Sequence, residues 1–172
     1  MTVLVTAASK HGGTADIAAT IAETLRAEGM AAATVSPDEV NGLDGITALV
    51  IGSAVYAGRW LPDAAALVRE IALEVGDRPV WLFSSGPIGE PLKPDGDPID
   101  APEMIRVVRA RGHRVFGGRL DRQRLGFGER AICAALRVPD GDFRPWDDVR
   151  AWAREISAYL QGDDRDHAAR AA

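Results

Sequence analysis

Apolar residues recur along the chain with two different periods, and these periods predict alternating strands and helices. Short apolar runs of strand length are Thr2–Val5, Ala31–Val35, Ile46–Ile51, Pro79–Phe83 and His113–Leu120. Apolar residues at helical spacing predict helices over Thr14–Ala27, Pro62–Val75, Glu103–Arg111 and Trp146–Leu160. Because Ile46–Ile51 is almost wholly apolar, it is typical of a parallel strand buried on both faces.

Strands that alternate with helices predict an α/β fold in which helices cover both faces of a parallel sheet. Five such units in 172 residues fit a five-stranded, doubly wound sheet. We expect a single domain over residues 1–162 and a disordered tail over residues 163–172. The Gly- and Pro-rich residues 86–102 predict a long loop. Residues 122–138 are ambiguous, with a helix over Ala131–Leu136 as one interpretation.

Composition excludes several classes of protein. The chain is 47% apolar and 26% charged, as globular domains are. No run approaches the roughly 18 apolar residues of a membrane span, and the N-terminus has no secretory pattern, so we expect a cytoplasmic protein. Cys133 is the single cysteine, which excludes an internal disulfide and a multi-cysteine metal site. We expect no metal, and a buried, inert Cys133.

Charge is distributed unevenly along this acidic chain. The segment Arg106–Arg137 contains nine arginines and two acidic residues, whereas the whole chain has a net charge of −5. A basic segment can attract an anionic partner or the surface of an anionic membrane. The alternative is that these arginines pair with acidic residues elsewhere and form a solvated face. We expect no nucleic-acid partner.

Ligands of doubly wound sheets bind beyond the carboxyl ends of the strands, which directs attention to residues 8–14, 53–60 and 84–91. In the first of these loops the hydroxyls of Ser9 and Thr14 can donate to a phosphate, as can backbone N–H groups at the start of a helix. Lys10 or His11 adds positive charge there. The alternative is a plain tight turn with Thr14 as the helix N-cap.

Several other sites lack their motifs. The sequence has no P-loop pattern and no G-x-S-x-G nucleophile elbow. No serine–histidine or carboxylate pair indicates general acid–base catalysis, so no catalytic residue is assigned. His113 lies between Arg111 and Arg114, where we expect it at the surface, and Trp81 lies mid-strand, where we expect it in the core.

The segment Val5–Ile21 resembles the FMN phosphate-binding signature of flavodoxins. The residues at the matching positions are Ser9, Gly12, Thr14, Ala18 and Ile21. The segment departs from the signature at Thr6, where the family usually has an apolar residue, and at Ala7, where it usually has an aromatic one. The resemblance implies a flavodoxin-like fold and a phosphate site formed by Ser9, Lys10, His11, Gly12, Gly13 and Thr14.

The second and third loops carry the same resemblance. Gly52–Tyr56 is similar to the flavodoxin segment whose aromatic residue stacks on the flavin, which implies that role for Tyr56. Trp60 is a second stacking candidate, although we expect it to anchor the loop. The resemblance implies that the flavin ring contacts Ala54, Val55, Tyr56, Ala57 and Gly58 on one side, and Ser84, Ser85, Gly86 and Pro87 on the other.

Three further segments extend the resemblance along the chain: Ile51–Gly58, Phe116–Leu120 and Pro145–Val149. With them, the chain from Val3 to about Leu160 is similar to the flavodoxin-domain branch that includes menaquinone-type protoporphyrinogen IX dehydrogenases. This resemblance implies an FMN-dependent oxidoreductase with a porphyrinogen substrate and a quinone acceptor. Arginines of Arg106–Arg137 would bind porphyrin propionates or anionic membrane headgroups. The alternatives are a soluble flavodoxin that carries electrons to a redox-protein partner, and a flavin-free interaction module with the same fold.

Overall fold

The computed structural model describes residues 1–86, 88, 96–121, 123, 125–128, 130–131 and 140–171, with side chains of the last helix described as far as residue 162. These residues form eight strands: β1 (Thr2–Ala8), β2 (Ala31–Val35), β3 (Ala48–Tyr56), β4 (Arg59–Trp60), β5 (Val80–Ser85), β6 (Gly112–Phe116), β7 (Arg119–Leu120) and β8 (Gly141–Asp142). The longer helices are α1 (Gly13–Ala27), α2 (Pro62–Ile71), α3 (Ala101–Val107) and α4 (Trp146–Ala171).

Five strands form one parallel sheet in the order β2-β1-β3-β5-β6. The order reverses between β1 and β3, which places the switch point of a doubly wound sheet between the carboxyl ends of those two strands. Strand β4 returns antiparallel against the end of β3, and β7 pairs with β8 in a separate two-stranded ribbon. The predicted five-stranded, doubly wound α/β fold is therefore confirmed.

Two apolar layers cover the sheet, one on each face. On one face α1 and α4 pack over β1, β3 and β5, with Ile17, Ile21, Trp152 and Ile156 among the buried side chains. On the other face α2 and α3 pack over the same strands. Buried side chains of that layer include Leu49, Ile51, Val68, Leu82 and Met104. Both layers follow from strands with few polar side chains, as expected for parallel sheets covered on both faces.

Three strands extend further toward the ligand-binding edge than the hydrophobic runs predicted. Strand β1 ends at Ala8, β3 at Tyr56 and β5 at Ser85, where the apolar runs ended at residues 5, 51 and 83. The additional residues include Ser53, Ser84 and Ser85, which stay in the sheet because the backbone pairs Ser53 with Ser84 and Ala54 with Ser85. Backbone pairing leaves no apolar periodicity in the sequence, which is why the sequence predicts these residues as loop.

The carboxyl-terminal half differs from prediction in two places. The fifth sheet strand ends at Phe116, and the residues after Gly117 and Gly118 form the separate strand β7, instead of one strand over His113–Leu120. Helix α4 continues to Ala171, so the backbone of residues 163–171 is helical where the sequence predicted a disordered tail. The alanines and arginines of this segment have high helix propensity, whereas Gly162 and the three aspartates do not, so propensity alone does not account for the continuation. Cys133 lies outside the described residues.

Candidate functional site

A cavity of about 560 Å³ lies at the carboxyl ends of β1, β3 and β5. Eleven of the residues predicted for the site line it: Ser9, Lys10, His11, Gly13, Thr14, Ala54, Val55, Tyr56, Ala57, Ser85 and Gly86. The fold thus brings the three predicted loops together around one space. The role of these residues in binding FMN stays a prediction.

Three other predicted residues that the structure describes, Gly12, Gly58 and Ser84, do not line this cavity. Gly12 is the N-cap of α1. Gly58 lies at the tip of a hairpin, and its carbonyl accepts a hydrogen bond from the N–H of Ile99 at 2.8 Å. Ser84 is fully buried, because successive residues of a strand point to opposite faces and Ser85 is the one that lines the cavity. Pro87 lies outside the described residues.

The first loop enters helix α1 through a left-handed residue. Gly12, the N-cap of α1, has φ +83°, and the first intrahelical bond joins the N–H of Asp16 to its carbonyl at 3.0 Å. The N–H groups of Gly13, Thr14 and Ala15 therefore have no acceptor within the helix. The N-cap is Gly12, and not Thr14 as the plain-turn alternative required. Donors at a helix N-terminus suit an anion.

Tyr56, the last residue of β3, lines the cavity next to the first loop. The turn between β3 and β4 consists of Ala57 at φ +49° and Gly58 at φ +75°, the two left-handed residues that a tight hairpin requires. The Tyr56 ring is 39% exposed, with Lys10 Nζ 5.3 Å from its centroid and the His11 ring centroid 6.5 Å away. An aromatic face and a cation thus stand side by side at the cavity edge.

Ile88 lines the cavity from within the predicted loop 84–91, whereas sequence reasoning missed four lining residues: Gly118, Arg119, Leu120 and Leu125. Most of them follow β6, in a stretch that was predicted as a continuous strand. The chain turns at Gly117 and Gly118, and a Cβ on Gly118 would lie 3.1 Å from the Gly86 Cα, a contact tight enough that the neighbouring backbone would have to shift. The Gly-Gly pair is a turn signal that would have ended the strand there.

An arginine network holds the first loop from outside. The guanidinium of Arg144 donates to both carboxylate oxygens of Asp142 at 2.7 and 2.6 Å, to Asp16 at 2.8 Å and to the Gly13 carbonyl at 3.1 Å. Its side chain is 4% exposed and stacks on Trp146, 4.4 Å from the ring centroid. The hydrogen bond from Arg144 lowers the pKa of Asp142, and the same bond raises the pKa of Arg144.

Arg119 joins this network from the cavity side. It donates to the His11 carbonyl at 3.3 Å and to Asp16 at 3.4 Å. Asp16, in the first turn of α1, is therefore shared by the two arginines. Arg119 also lines the cavity, as do Gly13 and Thr14 at the N-terminus of α1. Its positive charge therefore lies close to that helix terminus.

A second network of hydrogen bonds lies near the carboxyl ends of β3, β5 and β6. The indole N–H of Trp60 donates to Ser84 Oγ at 2.8 Å, and Ser84 Oγ lies 2.8 Å from His113 Nε2. His113 Nδ1 lies 3.2 Å from Asp97. Trp60 is buried and anchors its loop, as expected, and is not positioned to stack in the cavity.

The expectation of a surface position for His113 was wrong, and the structure places His113 beside Ser84, a contact that the sequence did not indicate. The His113 side chain is 5% exposed, and burial lowers its pKa despite the raising effect of Asp97. The sequence placed it at the surface because its neighbours are arginines, but strand alternation turns it inward. The order Ser84, His113, Asp97 is that of a hydrolytic triad. Because Ser84 is fully buried and also accepts a bond from Trp60, it cannot reach a substrate.

Several arginines of Arg106–Arg137 contact the protein itself. Arg114 pairs with Glu155 at 3.1 Å, and Arg109 donates to the Gly76 carbonyl at 2.8 Å. Arg111 lies over the ring of Tyr159, 4.9 Å from its centroid. Such contacts agree with the solvated-face alternative for these positions. Arg122, Arg124 and Arg137 lie outside the described residues. Within the part of the chain that the structure describes, no helix is long and apolar enough to span a membrane.

Comparison with known proteins identifies the family. The sequence model of the flavodoxin domain matches residues 4–144 of this chain. A comparison with curated protein sequences gave no match. The matched range contains the three predicted loops that line the cavity, together with Asp142 and Arg144.

Solved structures similar to this one share its fold. A cysteine-to-serine mutant of the flavodoxin from Pseudomonas aeruginosa superimposes with a TM-score of 0.61 at 15% identity, over 94% of this chain and 99% of that one. A flavodoxin from the domain Archaea gives 0.56 at 16% identity, over 90% and 99%. Rubredoxin oxygen:oxidoreductase from Desulfovibrio gigas gives 0.64 at 13% identity; 94% of this chain aligns with 36% of that protein.

Proposed function

The chain belongs to the flavodoxin domain family, and from that premise we propose that it binds FMN in the described cavity and acts in electron transfer. The observation that supports this most is the convergence of the α1 N-terminus, Tyr56 and the Ser85–Gly86 strand end around one space. A cavity of about 560 Å³ is within the usual range for small-molecule sites.

The residues present fit the two ends of a flavin mononucleotide. At the phosphate end, the N–H groups that open α1 and the hydroxyls of Ser9 and Thr14 would donate to phosphate oxygens. At the ring end, Tyr56 offers an aromatic face, and apolar side chains of Ile88, Leu120 and Leu125 border the same space. When bound, FMN supplies an acceptor and donor of one or two electrons.

Flavin binding is tested on the purified protein by its visible absorption spectrum, followed by titration of the flavin-free protein with FMN and with riboflavin. We expect flavin bands or saturable binding of FMN, with riboflavin bound more weakly because it lacks the phosphate. If neither flavin binds, the redox proposal is wrong, and the flavin-free interaction module becomes the leading alternative.

For the reaction, we propose the quinone-linked oxidation of a porphyrinogen, as the resemblance of the whole sequence implies. The basic character of the segment Arg106–Arg137, with nine arginines and two acidic residues, supports this proposal because arginine charge suits the propionates of such a substrate. The competing proposal is an electron carrier that docks on another redox protein.

A single assay separates these two proposals. The FMN-loaded protein is mixed with a porphyrinogen and a quinone, and formation of the porphyrin is followed with time. Multiple turnovers that stop when the quinone is omitted support the oxidoreductase. A flavin that is reduced and reoxidised only through a redox-protein partner, with no porphyrin formed, supports the carrier.

Membrane contact through Arg106–Arg137 is a separate proposal with its own test. Replacement of Arg122 and Arg124 by Gln is expected to weaken cosedimentation with vesicles of anionic lipid. The matched control removes two arginines from α4, Arg150 and Arg154, and is expected to leave binding unchanged. Equal loss in both variants would attribute the effect to net charge, and no loss in either would assign Arg122 and Arg124 to the solvated face.

A further inference from the structure

Two carbonyls of the first loop region are held by arginines that approach from different elements. The carbonyl of His11 accepts from Arg119 at 3.3 Å, and the carbonyl of Gly13 accepts from Arg144 at 3.1 Å. Arg119 belongs to β7, and Arg144 follows β8, the strand that pairs with it. The β7–β8 ribbon therefore contacts the loop at two points.

The geometry of the peptide bond gives these contacts a consequence for the donors. In a planar trans peptide, the N–H points in the direction opposite to the C=O. The His11 carbonyl shares its peptide with the Gly12 N–H, and the Gly13 carbonyl shares its peptide with the Thr14 N–H. When the two arginines fix the carbonyls, they fix the directions of both N–H groups, one of which belongs to a cavity-lining residue.

Asp16 couples the two arginines and is itself neutralised by them. Its carboxylate lies in the first turn of α1, 2.8 Å from Arg144 and 3.4 Å from Arg119. A lone carboxylate at this place would repel an anion bound at the helix N-terminus. Arg119 and Arg144 balance the charges of Asp16 and Asp142, so Asp16 leaves no unpaired negative charge beside the helix N-terminus. Arg144 is 4% exposed and is also held by Asp142, so this arrangement is rigid.

We propose that Arg119 and Arg144, joined through Asp16, are positioning residues that fix the phosphate-binding loop and make the site selective for a phosphorylated flavin over an unphosphorylated one. This inference rests on the proposed binding of FMN. It assigns to the β7–β8 ribbon, which lies outside the main sheet, a part in cofactor selection.

The experiment measures the dissociation constants of FMN and riboflavin for the wild type and for Arg144→Lys and Arg119→Lys. Lysine keeps the charge but, as a single ammonium, cannot hold a carbonyl and Asp16 in the planar geometry of the guanidinium. We expect the preference for FMN over riboflavin to fall about tenfold in each variant, as loss of an aligned charge-assisted contact implies. Riboflavin affinity is expected to stay nearly constant.

The control is Arg114→Lys, which alters an exposed pair with Glu155 away from the loop and is expected to leave the preference unchanged. A merely structural role would weaken FMN and riboflavin equally or only lower the melting temperature, and that result overturns the inference. If Arg144→Lys does not fold, Arg119→Lys decides, because its side chain is partly exposed. A wild type that binds neither flavin overturns the proposed function, whereas unchanged preference in the folded variants overturns this inference alone.

Discussion

The indole N–H of Trp60 donates to the hydroxyl of Ser84 across 2.8 Å, inside the protein and beneath the ligand-binding edge of the sheet. Trp60 closes the hairpin that carries Tyr56, and Ser84 is the penultimate residue of β5. The bond therefore links the β3–β4 hairpin, which carries Tyr56, to β5, which carries Ser85. The backbone N–H of Trp60 is bound as well, to the carboxylate of Asp100 at 3.0 Å.

Removal of this hydroxyl is expected to destabilise the fold. Ser84→Ala leaves the buried Trp60 N–H and His113 Nε2 without their common partner, which costs about 2 kcal/mol. The free energy of unfolding in urea measures the effect. The neighbouring Ser85→Ala is the matched control. Its hydroxyl makes only a 3.4 Å bond to the Gly117 carbonyl, so we expect a much smaller change, and equal losses in both variants would contradict the role of Ser84.

The stability of the protein is expected to depend on pH through His113. Because burial lowers its folded-state pKa below the ordinary value of 6.5, the unfolded chain binds more protons than the folded one as pH falls below that value. The free energy of unfolding therefore decreases from pH 7 toward pH 5. Urea titrations at several pH values measure this slope.

The comparison for that experiment is His113→Gln, which removes the titrating group and keeps a polar side chain. We expect this variant to be less stable at pH 7 and to lose less stability than the wild type as pH falls to 5. Parallel pH profiles of the two proteins would exclude His113 as the source.

Thr6 offers a stabilising substitution. Its hydroxyl is buried in the middle of β1 and has no hydrogen-bond partner among the described residues. Thr6→Val replaces an unsatisfied polar atom by a methyl group of similar size and is expected to raise the free energy of unfolding by about 1 kcal/mol. Thr24→Val is the control, since that hydroxyl donates to the Thr20 carbonyl at 2.8 Å; it is expected to gain nothing or to lose stability.

The double variant Ser9→Ala, Thr14→Val tests the phosphate loop directly. Loss of two hydroxyl donors is expected to weaken FMN at least tenfold, because each neutral hydrogen bond contributes about 1 kcal/mol. Riboflavin binding is expected to change little. Isothermal titration measures both affinities, and Thr20→Val, at a half-buried position of α1 that does not line the cavity, serves as control. Unchanged FMN affinity in the double variant would remove this loop from the phosphate site.

The alternation of strand-length runs and helical periods was sufficient to predict the sheet, because burial on both faces leaves a strong apolar signal in β1, β3 and β5. In each of these strands the apolar run ends several residues before the strand does. The serines and small residues at the carboxyl ends are held by backbone pairing, which has no apolar signature. The loops that line the cavity were nevertheless located, because in a doubly wound sheet they must follow those strands.

The sequence by itself thus determined the fold class and, because ligand loops follow the strands of a doubly wound sheet, also the loops that line the cavity. Only the tertiary structure decided which partners meet across long separations. Arg144 contacts Gly13 and Asp16 from 131 and 128 residues away, and Ser84 turns from the cavity toward Trp60 and His113. Such contacts depend on strand pairing and side-chain direction in three dimensions, which one-dimensional periodicity does not encode.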